Sequence, residues 1–394
     1  MKISVRSAAI PPSPTIGMNT RAQLLRKQGR NVLSFAVGEP DFPTPAHIVA
    51  AAEQAMRDGF TKYTAPEGIP ELREAVAMAT TRDLGVAVDP AGVVVSNGGK
   101  HALANIFLTL LDPGDHVIVI APYWVSYAEL ILLAGGWFTV VPTSLENGFQ
   151  PNLEAVAEAV HPRSVAVLIN SPSNPSGAVL DRATVEGLAA LAEQHDLAII
   201  SDEIYKHIVY DGVQATSPAL LGPETAARTI IADGVAKTYS MTGWRIGWSI
   251  SGREFATAAG DLQSQMTSNP CSISQKAALA ALTGPQDCVA EFRQTFAARR
   301  QVIVDALSQL PGLECPWPAG AFYVFPRVEG LFGRSLGGAT AHDSLGLAEL
   351  LLEKAEISTV PGSAFGSEGY LRFSFACSTD QLQEGASRLR ALLG

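Results

Sequence analysis

The chain has 394 residues, of which 47% are hydrophobic, and a formal net charge of −10. A chain of this size and composition buries a large core and is expected to divide into two domains. Because its negative charge is accompanied by no basic stretch, we expect no nucleic-acid partner.

The first 44 residues are rich in proline, and we expect them to form an N-terminal arm and part of a small domain. An amphipathic pattern predicts a helix near 19–28, and a short strand is predicted over 33–37. Helical periodicity continues over 45–58. A second helix is predicted over 70–82, where a proline lies in the first turn.

From residue 93 onward, short apolar runs alternate with helical segments. The predicted strands are 93–95, 117–120, 165–169, 197–200 and 229–231. The predicted helices are 100–111, 123–133, 153–160 and 182–195. This alternation is typical of an α/β fold with a mostly parallel sheet that helices cover on both faces. We assign this large domain to residues 45–285.

A different pattern follows the sheet region. Helical segments fill 253–310, with breaks near 269–270 and 284–285. Beyond Pro311, strands are predicted over 321–325 and 371–375, and a last helix begins near Thr379. We expect a smaller α+β domain over residues 286–394, packed with the N-terminal arm.

The cysteines and histidines show no spacing that indicates a metal site or a disulfide framework. We therefore expect no metal and reduced thiols, which is usual in the cytoplasm. The N-terminus has no apolar segment of signal-peptide length, and no window reaches the roughly 18 apolar residues of a membrane span. A cytoplasmic protein without a membrane partner is the prediction.

The sequence does not meet the requirements of three common functional motifs. No G-x-G occurs, which argues against a dinucleotide fold, and Gly99-Lys100 lacks the other residues of a P-loop. A G-x-S-x-G does occur at 333–337, but it lies in a glycine-rich loop and no histidine follows His342. A serine-hydrolase reading is therefore rejected.

Polar and aromatic residues follow the predicted strands at their carboxyl ends, where open α/β sheets bind ligands. Lys237 lies just beyond an apolar strand among small residues, and we read it as the amine that holds a carbonyl cofactor. The other candidates are Gly98, Gly99, Lys100, Trp124, Asn174, Asp202, Tyr205 and Arg245. Each alone also fits a turn, a helix cap or core packing. Together they offer a phosphate cradle, a stacking face, a carboxylate and an amine.

These residues resemble the class I, fold type I, pyridoxal-phosphate-dependent aminotransferases, and most closely the bacterial aspartate aminotransferases. The resemblance covers nearly the whole chain. Its motifs are Gly38-Glu-Pro-Asp-Phe42, Lys62-Tyr63, Gly98-Gly99-Lys100, Pro122-Tyr-Trp-Val-Ser-Tyr127, Asn170-Ser-Pro-Ser-Asn174-Pro, Ser201-Asp-Glu-Ile-Tyr205, Lys237 with Arg245, Pro318-Ala-Gly-Ala-Phe-Tyr323 and Leu371-Arg-Phe-Ser-Phe375.

The resemblance implies that Lys237 forms a Schiff base with pyridoxal 5'-phosphate and carries the substrate proton. It implies that Asp202 pairs with the ring nitrogen, where an anion favours the protonated ring. Asn174 and Tyr205 would contact the phenolic oxygen, and Trp124 would stack on the ring.

The phosphate would lie between Arg245 and the amides of Gly98 and Gly99. Many relatives have a Ser or Thr three residues before the lysine, whereas this chain has Gly234. Tyr63 would reach the phosphate from the neighbouring subunit, so the resemblance implies a homodimer with shared active sites.

For the substrate, the resemblance implies that Arg372 clamps the α-carboxylate, with Gly38, Trp124 and Asn174 nearby. The alternation of Leu371, Phe373 and Phe375 with Arg372 turns the arginine away from the core. Lys100 and Thr15, the latter in a Ser-x-Thr motif, would contact the distal carboxylate.

The favoured function is an amino-acid aminotransferase that acts on aspartate or glutamate with 2-oxoglutarate in two half-reactions. The alternatives are an aminotransferase for neutral or aromatic amino acids and a β-elimination or cyclisation enzyme with the same cofactor. A cofactor-sensing regulator is a third, disfavoured because the chain has no helix-turn-helix domain and no basic patch.

Overall fold

The computed structural model describes residues 1–8, 10 and 14–394, and the description excludes the side chains of residues 6 and 14–16. The helices are α1 Val5–Ala8, α2 Pro14–Lys27, α3 Ala46–Arg57, α4 Pro70–Leu84, α5 Gly99–Leu110, α6 Ser126–Leu133, α7 Leu153–Glu158, α8 Arg182–Gln194, α9 Pro223–Arg228, α10 Arg253–Met266, α11 Ser272–Thr283, α12 Asp287–Ser308, α13 Ser344–Lys354 and α14 Thr379–Leu393. The strands are β1 Leu33–Ser34, β2 Val93–Ser96, β3 His116–Ile120, β4 Trp137–Val141, β5 Ser164–Asn170, β6 Ala198–Asp202, β7 Thr229–Gly234, β8 Gly247–Ile250, β9 Tyr323–Val324, β10 Ser335–Leu336, β11 Ala339–Thr340, β12 Ile357–Ser358, β13 Val360–Pro361 and β14 Leu371–Ser374.

The central element is a seven-stranded sheet with the order β2-β8-β7-β6-β5-β3-β4. Neighbouring strands are parallel except for the two pairs that involve β8. The carboxyl ends of β5 and β6 meet directly, because Asn170 is the register partner of Asp202. The next pair along the sheet joins Asp202 to Ala232 of β7. Side chains that follow these strands are thus brought to one edge of the sheet.

Both faces of the sheet are covered by helices. Along β5, Ala166 and Leu168 pack in the hydrophobic cluster that contains Leu103 of α5 and Ile131 of α6. The intervening residues Val167 and Ile169 pack in the opposite cluster with α8. Because side chains alternate between the faces of a strand, one apolar run serves both layers. The predicted α/β fold with a doubly covered, mostly parallel sheet is confirmed.

A separate hydrophobic cluster joins the two ends of the chain. It contains Met18 and Leu33 from the N-terminal segment together with Phe296, Phe373 and Leu382 from the C-terminal part. The short strand β1 also pairs in parallel with β12. The N-terminal arm and the C-terminal α+β region thus share a core.

Several elements differ from the sequence prediction. Strands β4 and β8 were not predicted, because β4 is a half-exposed edge strand and β8 contains Gly247 and Ser249, so neither is a continuous apolar run. Helix α13 and its neighbour β12 were also missed. The predicted helix at 123–133 begins only at Ser126, and the strands predicted at 33–37, 321–325 and 371–375 are shorter than expected.

Two further features bear on the excluded functions. Ser335, the central serine of the G-x-S-x-G motif, is an exposed residue of a two-stranded antiparallel hairpin and does not join a strand to a helix. Among the described residues, no helix combines the length and the apolar character needed to cross a membrane.

Candidate active site

The carboxyl edge of the sheet borders a cleft of about 510 Å³, a volume typical of small-molecule sites. Its walls come from the ends of β5, β6 and β7 and from the C-terminal region. The predicted site residues that line it are Gly38, Gly99, Lys100, Trp124, Asn174, Asp202, Tyr205, Lys237, Arg245 and Arg372. The structure therefore brings together residues that are up to 334 positions apart in the sequence, as the interval from Gly38 to Arg372 shows.

Lys237 follows the end of β7 and turns its amine into this cleft. Its Nζ donates a hydrogen bond to the Gly38 carbonyl oxygen at 2.5 Å. Burial lowers the pKa of Lys237 to about 8, and the charge of Glu39 partly opposes that effect. An amine with this pKa has a far larger neutral fraction near physiological pH than an ordinary lysine, and the neutral form can add to a carbonyl group.

Asp202, at the end of β6, is a buried carboxylate of the site and is 5% exposed. Burial is the main cause that raises its pKa to about 6. Its backbone carbonyl accepts a hydrogen bond from Asn170 Nδ2 at 2.9 Å, and the Asn170 side-chain oxygen accepts from the Asn174 amide at 2.8 Å. Asn170 thus ties the Asn174 loop to the strand that carries the carboxylate.

A cradle for an anion lies where β2 leads into α5. Gly98 has a φ of +87°, and a Cβ at this position would overlap the guanidinium of Arg245. Arg245 itself adopts a left-handed conformation with φ +57°, and its Nη1 donates to the Thr242 carbonyl at 3.0 Å. The Gly98 amide itself donates to the Ser96 carbonyl at 2.7 Å, whereas Gly99 and Arg245 both line the cleft. The Gly99 amide at the start of α5 and this guanidinium therefore suit a phosphate.

Gly234 lies three residues before Lys237, where many relatives have a Ser or Thr, and steric contacts explain why this chain has a glycine there. A Cβ on Gly234 would lie 2.8 Å from Gly247 Cα and 2.9 Å from the Ile246 carbonyl oxygen, two atoms located where the adjacent strand β8 begins. These backbone atoms leave no room for a side chain. The candidate anion-binding groups on this side of the cleft are therefore the Gly99 amide and Arg245.

Arg372 is 2% exposed and is held by two hydrogen bonds. Its Nη1 donates to Asn174 Oδ1 at 2.8 Å and its Nη2 to the Ala36 carbonyl at 2.6 Å. Its Nε is buried and has no partner among the described residues. As a buried N–H donor is costly to leave unpaired, this atom is suited to a bound carboxylate.

Lys100 lies at the mouth of the cleft, in the first turn of α5. Its Nζ is 5.0 Å from the centroid of the Trp124 ring. Desolvation by the cleft walls, followed by repulsion from Arg245, lowers the pKa of Lys100. Within the described part of the chain its ammonium has no carboxylate within salt-bridge distance. The cleft thus holds a cation that its neighbours do not neutralise.

Comparison with known proteins shows the family to which this chain belongs. A sequence profile described as aminotransferase class I and II matches residues 30–389. The chain belongs to this family. The aminotransferase is 44% identical to an aspartate aminotransferase of Streptomyces avermitilis, over 100% of this chain and 96% of that protein. It is also 44% identical to an aspartate/prephenate aminotransferase of Cereibacter sphaeroides, over 98% and 96% of the two chains.

Solved structures agree with that assignment. The aspartate aminotransferase of Rhizobium meliloti superposes with a TM-score of 0.96 at 38% identity, covering 100% of this chain and 99% of the other. The Thermus thermophilus aspartate aminotransferase solved with maleate gives a TM-score of 0.93 at 41% identity and full coverage of both chains. The predicted family and fold are therefore confirmed.

Three predicted site residues of the aminotransferase are not among those that line the cleft. Gly98 precedes the lining residue Gly99 but does not itself line the cleft. Tyr63 is 88% exposed on the surface and does not line the cleft of its own chain. The side chain of Thr15, like Ser13, lies outside the described part of the structure. Its contact with a substrate stays a prediction.

The structure also adds residues that sequence reasoning did not assign to the site. Tyr323 lines the cleft, and its hydroxyl is 2.8 Å from that of Tyr205. Glu39 lies at the mouth, where it accepts a hydrogen bond from Thr242 Oγ1 at 2.9 Å. Tyr127 donates to Asp202. Tyr127 lies in α6 whereas Trp124 precedes that helix, and its contact with Asp202 joins residues 75 positions apart, so no local pattern indicated it.

Proposed function

We propose that this aminotransferase uses pyridoxal 5'-phosphate and that Lys237 binds it covalently. The observation that carries the proposal is the meeting of the desolvated Lys237 amine, the buried Asp202 carboxylate and the buried Arg372 guanidinium in a single cleft. The Gly98 turn, where a Cβ would overlap Arg245, fits the phosphate of such a cofactor. When bound, the cofactor supplies an electron-withdrawing ring that stabilises negative charge at the substrate Cα.

Each cleft residue then has a defined task. Lys237 moves the proton at the substrate Cα once its amine is free, and its lowered pKa suits a group that must accept a proton. Asp202 holds the ring nitrogen by its negative charge. Asn174 and Tyr205 orient the phenolic oxygen, and Trp124 covers one ring face.

The phosphate and the substrate α-carboxylate are assigned to different arginines. Arg245, with the Gly99 amide, holds the phosphate, and Arg372 holds the α-carboxylate through a two-pronged pair. The Gly98 amide, which the resemblance also assigned to the phosphate, donates to the Ser96 carbonyl instead. Gly38 also lines the cleft. Its carbonyl keeps the Lys237 amine in the cleft when no substrate is bound.

We propose aspartate and glutamate as amino donors, with 2-oxoglutarate as acceptor. Lys237, Arg245 and Arg372 are assigned to cofactor, phosphate and α-carboxylate. Among the described residues that line the cleft, this leaves Lys100 as the remaining cation, and a distal carboxylate would neutralise it. The relatives named aspartate aminotransferase support this choice, as does the Thermus relative solved with maleate, a dicarboxylate. Thr15 is proposed to assist Lys100.

We further propose a homodimer in which Tyr63 reaches the phosphate of the neighbouring subunit. Tyr63 is 88% exposed in a loop of this chain. A partner subunit that covers this ring would explain why so large an aromatic side chain lies on the surface. Phe60, three residues earlier, already packs at the surface beneath Lys276. Sedimentation velocity at micromolar concentration tests the dimer.

Two experiments test the reaction. Borohydride reduction and peptide mapping of the purified protein should recover a pyridoxyl group on Lys237, and recovery on another lysine would refute the assignment. A panel of amino donors with 2-oxoglutarate, ranked by kcat/KM, should place aspartate and glutamate first.

The panel also separates the alternatives. Prephenate belongs among the acceptors, since the Cereibacter relative is an aspartate/prephenate aminotransferase. Release of ammonia and pyruvate from cysteine-type substrates without an oxo-acid acceptor would favour a β-elimination enzyme instead.

A further inference from the structure

Tyr127 lies behind two of the proposed cofactor-binding residues. It is 1% exposed, and its hydroxyl donates a hydrogen bond to Asp202 Oδ2 at 2.5 Å. Its ring packs edge-to-face against Trp124, with a centroid distance of 5.4 Å and an interplanar angle of 85°. One side chain therefore contacts both the residue proposed to cover the ring and the residue proposed to hold its nitrogen.

The hydrogen bonds of Asp202 divide between its two oxygens. Oδ2 accepts from Tyr127, and Oδ1 accepts from the Ile204 amide at 3.2 Å. Two donors on opposite oxygens fix the plane of a carboxylate. A carboxylate oxygen accepts more than one hydrogen bond, so this arrangement leaves capacity for a ring N–H.

The charges around Asp202 make Tyr127 important for its ionisation. Burial raises the pKa of Asp202, and the nearby carboxylates of Asp233 and Glu203 raise it further. The Tyr127 hydrogen bond is the strongest of the contacts that lower it. Lys206 contacts Asp233 at 3.0 Å and so compensates that neighbour, not Asp202 itself.

Two more titratable groups face the same carboxylate. The Lys237 amine lies near enough for Asp202 to favour its charged form. Tyr205 is buried beside it, and burial raises the pKa of that phenol well above its usual value, so it stays neutral. Among these groups, Tyr127 is the side chain that binds the carboxylate directly.

We propose that Tyr127 is a positioning residue for the cofactor: its hydroxyl holds Asp202 ionised and correctly oriented toward the ring nitrogen, while its ring supports Trp124. The inference rests on the proposed function, since it assumes that Asp202 meets a pyridine nitrogen. A purely structural role would require the ring alone. Phenylalanine fills the same space, so Tyr127→Phe separates the two roles.

The test measures cofactor affinity of the unloaded protein, not turnover. Dissociation constants are determined from pH 6 to pH 9 for pyridoxal 5'-phosphate and for its 1-deaza analogue, which has no ring nitrogen. Without the hydrogen bond, the pKa of Asp202 rises above about 6, so the variant carboxyl is protonated at neutral pH and ionised again at high pH. We expect Tyr127→Phe to weaken binding of the natural cofactor about 10-fold near pH 7.

The pattern across ligands decides between the roles. The loss should shrink toward pH 9 and be absent with the deaza analogue. An equal loss of affinity for both ligands at every pH would show that Tyr127 acts only by packing. Unchanged affinity for both would also overturn the proposal. Tyr210→Phe is the matched control, since it removes a buried hydroxyl that donates to the Ala321 carbonyl outside the cleft. It should bind both ligands as the parent does.

A second measurement uses the parent protein and does not depend on the variant's stability. Infrared titration of the unloaded protein should show the carboxylic-acid band of Asp202, assigned by its loss in Asp202→Asn, only as the pH falls through about 6. A protonated Asp202 at pH 8 would contradict the proposal. If the parent binds neither ligand, the cofactor assignment itself fails; if it binds the cofactor at Lys237 and Tyr127→Phe is unchanged, only the role of Tyr127 fails.

Discussion

Replacing Lys100 with methionine tests whether this aminotransferase recognises the distal carboxylate of its substrate. Methionine keeps an unbranched stem beside Trp124 and removes the charge. The ammonium lies 5.0 Å from the Trp124 ring centroid at the mouth of the cleft, where burial lowers its pKa. A substrate carboxylate would therefore meet a cation that is partly desolvated before binding.

The magnitude follows from the surroundings of Lys100. A pair of unit charges about 4 Å apart gains ~1 kcal/mol in water and ~4 kcal/mol at an effective dielectric constant of about 20. Because Lys100 is still exposed to solvent on one side, we expect an intermediate value of ~2–3 kcal/mol, which is roughly 30- to 150-fold in kcat/KM. Donors without a distal carboxylate should lose far less.

The assay follows the first half-reaction alone, because 2-oxoglutarate carries a distal carboxylate of its own. Aspartate and glutamate are compared with alanine and phenylalanine. Lys276→Met is the matched control, since Lys276 also lies over an aromatic ring, at 4.8 Å from the centroid of Phe60, but outside the cleft. Equal losses for acidic and neutral donors in Lys100→Met would refute the reasoning and favour a neutral or aromatic aminotransferase.

Three further outcomes are expected. Lys206→Met should lower the free energy of unfolding by ~3–5 kcal/mol in urea titrations, since it leaves the buried Asp233 without its ammonium, and a change below ~1 kcal/mol would contradict this. Mixing Lys237→Ala with Tyr63→Ala subunits should restore about a quarter of the parent activity, because half of the dimers then carry one intact site of two; no recovery would argue against shared sites. Asp202→Asn should still bind cofactor but exchange substrate Cα deuterium more slowly. A parent-like exchange rate would show that Asp202 is not needed for the ring to act as an electron sink.

The sequence was most informative where one residue pattern had one structural solution. Apolar runs such as 165–169 could only be strands buried on both faces, so their carboxyl ends, and with them Asn174, Asp202 and Lys237, could be placed at one edge. The breaks at 269–270 and 284–285 likewise separate α10, α11 and α12 as expected. Edge and antiparallel strands carry a weaker signal, which is why β4 and β8 were missed.

Other features depend on contacts that no local pattern contains. The hydrogen bond between Tyr127 and Asp202 joins residues 75 positions apart, and Tyr205 meets Tyr323 across 118 positions. The division at residues 44 and 285 stays a prediction, which limited proteolysis would test. The shared hydrophobic cluster of the N-terminal and C-terminal segments supports it.

Arg372, the proposed ligand of the α-carboxylate, is held by both regions of the chain. A guanidinium has five N–H donors, and two of those on Arg372 are engaged, by Asn174 from the sheet region and by Ala36 from the N-terminal segment. These bonds fix the plane of the group, and the Tyr323 ring, 4.6 Å from Cζ, supports its face. The Nε–H has no partner among the described residues and Nη2 carries a second N–H, so the group keeps donor capacity for a carboxylate. A lysine has no such planar fork, so the same contacts could not orient it.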